Sequence, residues 1–292
     1  MGTLLNRRRY MGGGAEEIIV PVEDYGYLAT TALKPTSFTF NVASEISTND
    51  IESISYSLDD GTTWVTVNNV DNTAVTVTTP TVSAYNHVLW KGNGKAWQRW
   101  RTSRSLSIYS YFSSDDIFSI SGNPLSMAYG DSYTSATVTK DWLSMARMFY
   151  QSKVYSASNL NLDFNISPGT FAEMFRECTE LRFPPPELSH ESSGGSPGTF
   201  GGMFYGCSKL TSAPVINIAT LKQNSCSSMF YECSSLKEVT IMCTDISASN
   251  CLNNWLYGVP ATGTITIVQG ITFPTGASGI PSGWAVVEIP TT

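Results

Sequence analysis

The sequence predicts a mainly β protein with short helices, arranged as an N-terminal arm, a small β-sandwich and a stack of repeated units. Three observations support this fold class. A motif recurs after residue 142 at intervals of 25 to 29 residues, apolar residues alternate with polar ones between residues 19 and 85, and only 14% of the 292 residues are charged. Alternation with a period of two is typical of half-buried strands, and a longer fixed period indicates stacked repeats.

Residues 1–18 form the predicted arm, because they combine a basic cluster with glycines and carry little apolar surface. Arg7, Arg8, Arg9 and Tyr10 precede three glycines at 12–14. Arginine pairs bidentately with carboxylates and stacks on aromatic rings, so these four residues are the candidate docking site for a partner protein. A disordered tail with solvated charges is the alternative interpretation.

Residues 19–85 are predicted to form a small immunoglobulin-like (Ig-like) β-sandwich. Phe38, Phe40 and Val42 alternate with polar residues, and later runs show the same alternation. Asp60 and Gly61 lie between two such runs, and this dipeptide is a strong signal for a tight hairpin. Short strands at this spacing, with few helix formers, are typical of Ig-like sandwiches.

The same hairpin contains a second motif. Residues 57–64 (SLDDGTTW) match the Asp-box pattern Ser-x-Asp-x-Gly-x-x-Trp that recurs in sialidases. One interpretation is glycan hydrolysis. The other is a turn-stabilising device, in which Asp59 accepts hydrogen bonds from the turn while Trp64 packs beneath it. The motif occurs once, and a region of about 65 residues is too short for a propeller of several four-stranded blades, which favours the turn.

Residues 86–141 are predicted to form a β-rich connector or an N-terminal cap for the repeats. Basic residues alternate there with aromatic ones, as in Trp97, Arg99 and Trp100. This pattern is typical of surfaces that stack on bases or sugars. Strands with buried rings and exposed cations produce the same pattern, and we regard them as the commoner explanation.

Residues 142–258 are predicted to form a β/α solenoid. Three units share the pattern x-x-Met-Phe-x-x-Cys-x-x-Leu after an apolar first residue. Apolar residues at i, i+3, i+4 and i+7 predict that each unit opens with a short helix, and a β-prone run follows it. One unit cannot bury both faces alone, so stacking should form ladders through a shared core. The predicted repeat core consists of Met174, Phe175, Cys178, Met203, Phe204, Cys207, Met229, Phe230 and Cys233.

Degraded units flank these three copies. The one that follows them places Cys251, Asn254, Trp255 and Gly258 in the corresponding positions. Residues 259–292 keep strand character but abandon the motif. Because the last unit of a stack must close the open core, this segment is predicted to be a C-terminal β cap.

Composition and charge disfavour several classes of protein. The net charge of −7 argues against bulk binding of nucleic acid. No run of about 18 apolar residues occurs, so we expect no membrane insertion, and no apolar core follows the N-terminal arginines, so we expect no secretory signal. With His87 and His190 as the only histidines, we expect no zinc site, and the sequence predicts no catalytic or cofactor-binding residue.

The six cysteines lie after residue 177 and include no Cys-x-x-Cys pair. Their spacing is explained by the repeat, because free cysteine is commonly a small buried apolar residue. We therefore expect free thiols. A bridge from Cys226 to Cys233 or Cys251 is the alternative.

The repeated motif followed by proline resembles the BspA-type leucine-rich repeats of surface and phage-associated proteins of Bacteroidales. The similarity covers about residues 86–292, including residues 119–127 (SISGNPLSM) and 279–284 (GIPSGW) on either side of the repeats. Residues 4–13 (LLNRRRYMGG) resemble the starts of structural proteins of Bacteroides phages. The resemblance implies a leucine-rich-repeat solenoid that serves adhesion or assembly, with no enzymatic chemistry.

The expected function is a non-enzymatic virion structural protein of a phage, as a head-fibre, decoration or tail-fibre component. Its arm would dock on other virion proteins, and its repeats would meet a glycan or protein receptor on a host surface. A phage protein leaves the cell by lysis and needs no signal peptide. The first alternative is a host-encoded BspA-like adhesin on the bacterial cell surface, and the second is a glycan-binding or glycan-hydrolysing protein. A homo-oligomer is open in each case.

Overall fold

The computed structural model describes residues 7–9, 19–21, 26–42, 51–68, 76–94, 109–135, 145–164, 171–189 and 198–290. Within these ranges the protein is mainly β, with several sheets and few short helices, which confirms the predicted fold class at this level.

The described strands are, in chain order, β1 (Arg7–Arg9), β2 (Ile19–Pro21), β3 (Leu28–Ala32), β4 (Phe38–Asn41), β5 (Ile51–Ser57), β6 (Val65–Asn68), β7 (Thr76–Thr78), β8 (His87–Gly94), β9 (Tyr111–Ser114), β10 (Phe118–Gly122), β11 (Val154–Leu160), β12 (Glu187–Leu188), β13 (Ser212–Ile216), β14 (Glu238–Ile241), β15 (Gly263–Val268) and β16 (Trp284–Ile289). The described helices are α1 (Ser126–Tyr129) and a 3-10 helix (Gly130–Ser135).

Part of the predicted arm forms a small sheet. β1 pairs antiparallel with β2, and Arg7 lies opposite Pro21. The basic cluster of Arg7, Arg8 and Arg9 is therefore a strand, and its pairing crosses the predicted end of the arm at residue 18. Tyr10, the fourth candidate docking residue, lies outside the described residues. Docking by this segment stays a prediction.

Two sheets pack together in the N-terminal half of the protein. One has the strand order β11-β10-β3-β8-β5-β6, and the other has the order β7-β4-β9. Rings from both sheets meet between them: Trp90 lies 5.1 Å from Phe112, and Phe118 lies 5.4 Å from Phe38. Because β8 pairs with both β3 and β5, and β10 with β3 and β11, the predicted limits at 85/86 and 141/142 fall inside one packed body. The Ig-like assignment stays a prediction.

The five-stranded sheet is parallel throughout, in the order β12-β13-β14-β15-β16. A parallel bridge joins Ser156 of β11 in the six-stranded sheet to Phe183, in the chain that leads into β12. Parallel neighbours need a connection that crosses back over the sheet, and residues 171–178, 200–207 and 226–233 lie in such connections. Each copy of the motif therefore stacks on the next copy, just as each strand pairs with the next strand of the sheet.

The predicted helix at the start of each unit is wrong, because these segments form successive turns. Met174 N donates to Phe171 O at 3.2 Å, three residues back, whereas an α-helix bonds four residues back. Glu173 and Glu177 have positive φ values of 55° and 60°. Glu173 N donates to Gly201 O in the next unit at 2.9 Å. Hydrogen bonds between units thus replace those that a helix would make within itself, and the backbone remains satisfied.

The nine predicted core residues of the repeats are all fully buried. Their phenylalanine rings stack nearly parallel, with centroids 5.5 Å apart from Phe175 to Phe204 and 5.6 Å apart from Phe204 to Phe230. The row continues towards the N-terminal sheets through Phe149, 5.5 Å from Phe175, and Phe112, 5.6 Å from Phe149. One ladder of rings therefore joins the repeats to the core of the two packed sheets.

The last unit has a different register from the one predicted. Phe204 N donates to Met229 O, and in the next unit Phe230 N donates to Trp255 O, each at 2.9 Å. Trp255 thus occupies the place of the methionines, one residue away from the predicted alignment with phenylalanine. Its indole is fully buried, and its ring centroid lies 6.2 Å from that of Phe230.

None of the six cysteines, all of which the structure describes, forms a disulfide, and all six are buried. Cys178, Cys207 and Cys233 each donate a thiol hydrogen bond to the phenylalanine carbonyl of the preceding unit, at 2.8, 3.1 and 3.0 Å. Burial raises the pKa of the Cys178 thiol to about 12, and burial raises the pKa of the other two well above the usual value. These thiols are protonated and inert near neutral pH.

We expect none of the six thiols to react with Ellman's reagent in the folded protein, and all six to react in guanidinium chloride. A reducing agent should leave the melting temperature unchanged. Above about pH 9, unfolded thiols ionise while the buried ones keep their protons, so the folded state binds more protons and stability should fall as pH rises. A thiol that reacts rapidly in the native protein would contradict this arrangement.

Candidate functional site

One residue in each unit points outward and forms a stripe along the stack. This residue directly follows the buried phenylalanine or, in the last unit, Leu256. Backbone hydrogen bonds define the equivalent residues, since Glu177 N donates to Tyr205 O and Gly206 N to Tyr231 O, at 2.6 and 2.8 Å. The stripe consists of Tyr150, Arg176, Tyr205, Tyr231 and Tyr257.

The last three residues of the stripe form what we call the tyrosine column: Tyr205, Tyr231 and Tyr257. Ring centroids are 4.6 Å apart at both steps, with interplanar angles of 8° and 18°. This separation matches the spacing of about 4.7 Å between neighbouring strands, so the backbone repeat itself holds the rings face to face. Tyr257 ends the column, and 47% of its surface is exposed.

The stripe residue that directly precedes the tyrosine column is charged. The Arg176 guanidinium lies over the Tyr205 ring, 4.0 Å from its centroid, and caps the column at that end. Arg176 also contacts two carboxylates, Glu173 at 3.6 Å and Glu177 at 3.3 Å. Glu173 in turn accepts a hydrogen bond from Arg147 Nε at 2.7 Å. The column therefore has one closed end, held by a paired cation, and one open end at Tyr257.

The side chains of this stripe are suited to binding a ligand through non-covalent surface contacts. Stacked tyrosines offer apolar ring surface together with hydroxyl groups at the ring edges, a combination that suits amphipathic ligands. The rings are held by the hydrogen-bonded units beneath them, so little side-chain entropy is lost when a ligand binds. The stripe is the candidate adhesion surface of the protein.

The Asp-box hairpin between β5 and β6 has the geometry of a turn-stabilising device. Asp59 accepts hydrogen bonds from Thr63 N and Thr63 Oγ1 at 2.8 and 2.7 Å and from Ser57 Oγ at 2.8 Å. These hydrogen bonds hold the pKa of the Asp59 carboxyl below its usual range, and the bond from the Thr63 hydroxyl has the largest effect. Trp64 Nε1 donates to Gly61 O at 3.0 Å. The carboxylate is thus engaged by its own turn.

Sequence reasoning missed the tyrosine column, although a signal for it exists. Tyr205, Tyr231 and Tyr257 are spaced at two equal intervals of 26 residues, which is the separation of the last repeat units. Our sequence prediction followed only the buried residues of the motif. Within the parts of the chain that the structure describes, no three His, Cys, Asp or Glu side chains are grouped to hold a metal ion, and no helix is long and apolar enough to span a bilayer.

No protein family, curated protein or solved structure matches this chain. The resemblance to BspA-type repeats therefore stays a prediction from the motif.

Proposed function

We propose that this chain is a non-enzymatic virion structural protein of a phage, as a head-fibre, decoration or tail-fibre component. In this proposal the N-terminal segment docks on other virion proteins, an Ig-like sandwich forms the base, and a leucine-rich-repeat solenoid meets a host surface. The observation that carries the adhesive part is the tyrosine column, a row of two half-buried rings and one exposed ring at the surface of a hydrogen-bonded stack. Exposed aromatic residues are enriched where proteins contact partners.

The arrangement of the stack supports a presenting role. Each unit is bonded to the next through strand pairing on one side and through turn hydrogen bonds on the other, such as Phe204 N to Met229 O and Gly206 N to Tyr231 O. Two sets of bonds resist bending better than one, so a ligand surface on this stack keeps its geometry at a distance from the anchor.

The glycan-hydrolysing alternative receives less support than glycan binding. Hydrolysis of glycosides usually requires two carboxyl groups at a defined separation of about 5 to 9.5 Å across the bond. The Asp-box carboxylate of Asp59 is engaged in its turn, whereas the tyrosine column is a surface on which a sugar can stack. The proposed adhesive role therefore includes glycan binding and does not include glycan hydrolysis.

Immunogold electron microscopy tests the location. Antibodies against the purified full chain should label phage particles from a lysate of the source strain, and should leave intact uninfected cells unlabelled. Labelling of the cell surface with bare particles would contradict the virion proposal and favour the host adhesin. Absence of label from both would overturn both locations, provided that the same antibodies detect the chain in a blot of the lysate.

The arm is tested by changing it in the phage genome. Particles that encode a chain without residues 1–14 should lack the protein, while the purified truncated chain keeps its melting temperature. Replacing Arg7, Arg8 and Arg9 with alanine should weaken incorporation, and lysine should restore it only in part because it cannot pair bidentately. Normal incorporation of the truncated chain would place the anchor elsewhere.

A further inference from the structure

The series of backbone hydrogen bonds between units changes at the open end of the tyrosine column. In the preceding units, the residue after the stripe donates its N–H to the next unit, ending with Glu232 N to Tyr257 O at 2.7 Å. The equivalent donor at the end of the series is Gly258 N, which has no acceptor among the described residues. The series of hydrogen bonds between units therefore ends at Tyr257 O, and the N–H of Gly258 stays available to a ligand.

A pocket occupies the space beside this end. Its volume is about 290 Å³, and its lining includes Tyr257, Gly258, Pro260, Ala277 and Ser282. The residues that the cap contributes to this lining include no aromatic side chain. Leu256 N donates to Ala277 O at 3.1 Å, so the cap continues the backbone hydrogen bonds of the stack at this end. One face of Tyr257 is covered by Tyr231, and no other described ring covers its second face.

Two buried indoles hold the walls of the pocket in place. Trp255 Nε1 donates to Gly279 O at 2.7 Å, and Trp284 Nε1 donates to Pro260 O at 2.9 Å. Each bond ties one pocket loop to a tryptophan that is buried in the core. A pocket with fixed walls binds with a smaller ordering cost than a mobile one, and small-molecule sites are usually preformed in this way.

The lining selects for a neutral ligand with one ring. None of the lining residues is charged, so the pocket offers no compensation for burying an ion. A volume of about 290 Å³ lies at the lower end of the usual range for ligand pockets. Tyr257 supplies an apolar platform, while Gly258 N–H and the exposed Ser282 hydroxyl supply polar partners at the edge.

We propose that this end pocket binds a pyranose ring of a neutral sugar, stacked on the open face of Tyr257. A pyranose has an apolar face of C–H groups and a rim of hydroxyls, which matches the platform and the polar edge. Gly258 N–H donates to a ring or hydroxyl oxygen in the place of the missing carbonyl. This proposal specifies the class of ligand for the adhesive role, and in that respect it rests on the function proposed above.

Saturation-transfer NMR on the full chain tests the site, with the methyl glycosides of glucose, galactose, mannose and N-acetylglucosamine as probes and glucuronic acid as the charged comparison. At least one neutral glycoside should bind, and Tyr257→Ala should weaken it about tenfold or more, since stacking on an aromatic ring contributes substantially to binding. Ser282→Trp, which fills the pocket from an exposed residue, should also abolish binding without changing the melting temperature.

Val286→Ala is the matched control. This side chain lies on β16 of the cap and is 47% exposed, as Tyr257 is, but it does not line the pocket, so its loss should leave the affinity within about twofold, well under the tenfold effect of losing a stacking contact. Equal loss in Val286→Ala and Tyr257→Ala, or no binding of any neutral probe, would overturn the site. Binding of glucuronic acid alone would also overturn it.

Light scattering separates the competing occupant, a second copy of this chain. A dimer that Tyr257→Ala converts to monomer would show that protein fills the pocket and would overturn the sugar proposal. Sugar binding and particle labelling are independent measurements. A chain that binds sugar but is missing from particles keeps the pocket and loses the virion role, and the converse result keeps the virion role and loses the pocket.

Discussion

Replacing Phe204 with alanine should lower the free energy of unfolding by about 3 to 5 kcal/mol. The ring is fully buried and is stacked on both faces, 5.5 Å from Phe175 and 5.6 Å from Phe230. The neighbouring units are hydrogen-bonded to each other, so they cannot collapse into the space that the ring leaves. Urea denaturation at equilibrium, followed by tryptophan fluorescence, measures the change.

Tyr205→Ala controls for this experiment because it removes the next ring along the chain from the outer side of the same unit. Tyr205 is half-buried, and its stacking should contribute about 0.5 to 1.5 kcal/mol. A loss below about 1 kcal/mol for Phe204→Ala, or a loss equal to that of Tyr205→Ala, would contradict the stacked core. Such a result would mean that the phenylalanines do not form a continuous ladder.

Gly122→Ala should be as damaging, at about 4 kcal/mol or more, because strain and steric overlap add at this residue. Gly122 ends β10 with a φ of 75°, and a Cβ there would lie 1.8 Å from Tyr27 O. The same residue accepts a hydrogen bond from Asn161 N at 2.9 Å. An added methyl group would push β10 from the chain that precedes β3 and disturb the contact with the first repeat.

Gly270→Ala separates strain from overlap. Gly270 has a similar φ of 87°, but a Cβ there meets nothing within 4 Å, so its cost should be limited to the conformational strain of about 1 to 2 kcal/mol. Thermal and urea denaturation of both variants would show the difference. Equal effects in the two variants would mean that β10 and the segment before β3 are not in close contact.

The repeat period and the buried residues could be predicted from the motif, but the local backbone could not. Inward residues at i, i+3, i+4 and i+7 fit an α-helix, and they fit the turns of residues 171–178 equally well. The two differ in the sign of φ at the outer residues, where Gly202 and Gly206 have values of 60° and 71°. These two glycines were the available signal, but the equivalent residues of the preceding unit are Glu173 and Glu177, which gave no such signal.

The joining of the N-terminal sheets to the repeats could not be predicted either. Alternation of apolar and polar residues predicts strands, but it does not say which strands pair across long separations in sequence. β10 pairs in parallel with β11 and antiparallel with β3, so the segments on both sides of the predicted limit at residue 141 share one sheet. The row of stacked rings from Phe112 to Phe230 could not be predicted for the same reason, because it joins residues from both sides of that limit.

The pocket beside Tyr257 depends on the register of the last unit, which its degraded motif did not define. The motif predicted Trp255 in the place of phenylalanine, whereas the hydrogen bonds put it one residue earlier in the unit, in the place of the methionines. This shift places Tyr257 on the outward stripe. Only the order of the units in space shows that its second face is uncovered.

Stacking of turn-built units, which orders the tyrosine column and leaves Tyr257 open, is tested most directly by a crystal structure of the full chain. We predict ring centroids about 4.6 Å apart from Tyr205 to Tyr231 and from Tyr231 to Tyr257, with positive φ at Glu173, Glu177 and the equivalent residues. Residues 171–177 and 226–232 folded as α-helices, with the three tyrosine rings separated, would contradict the stack and the adhesion surface built on it.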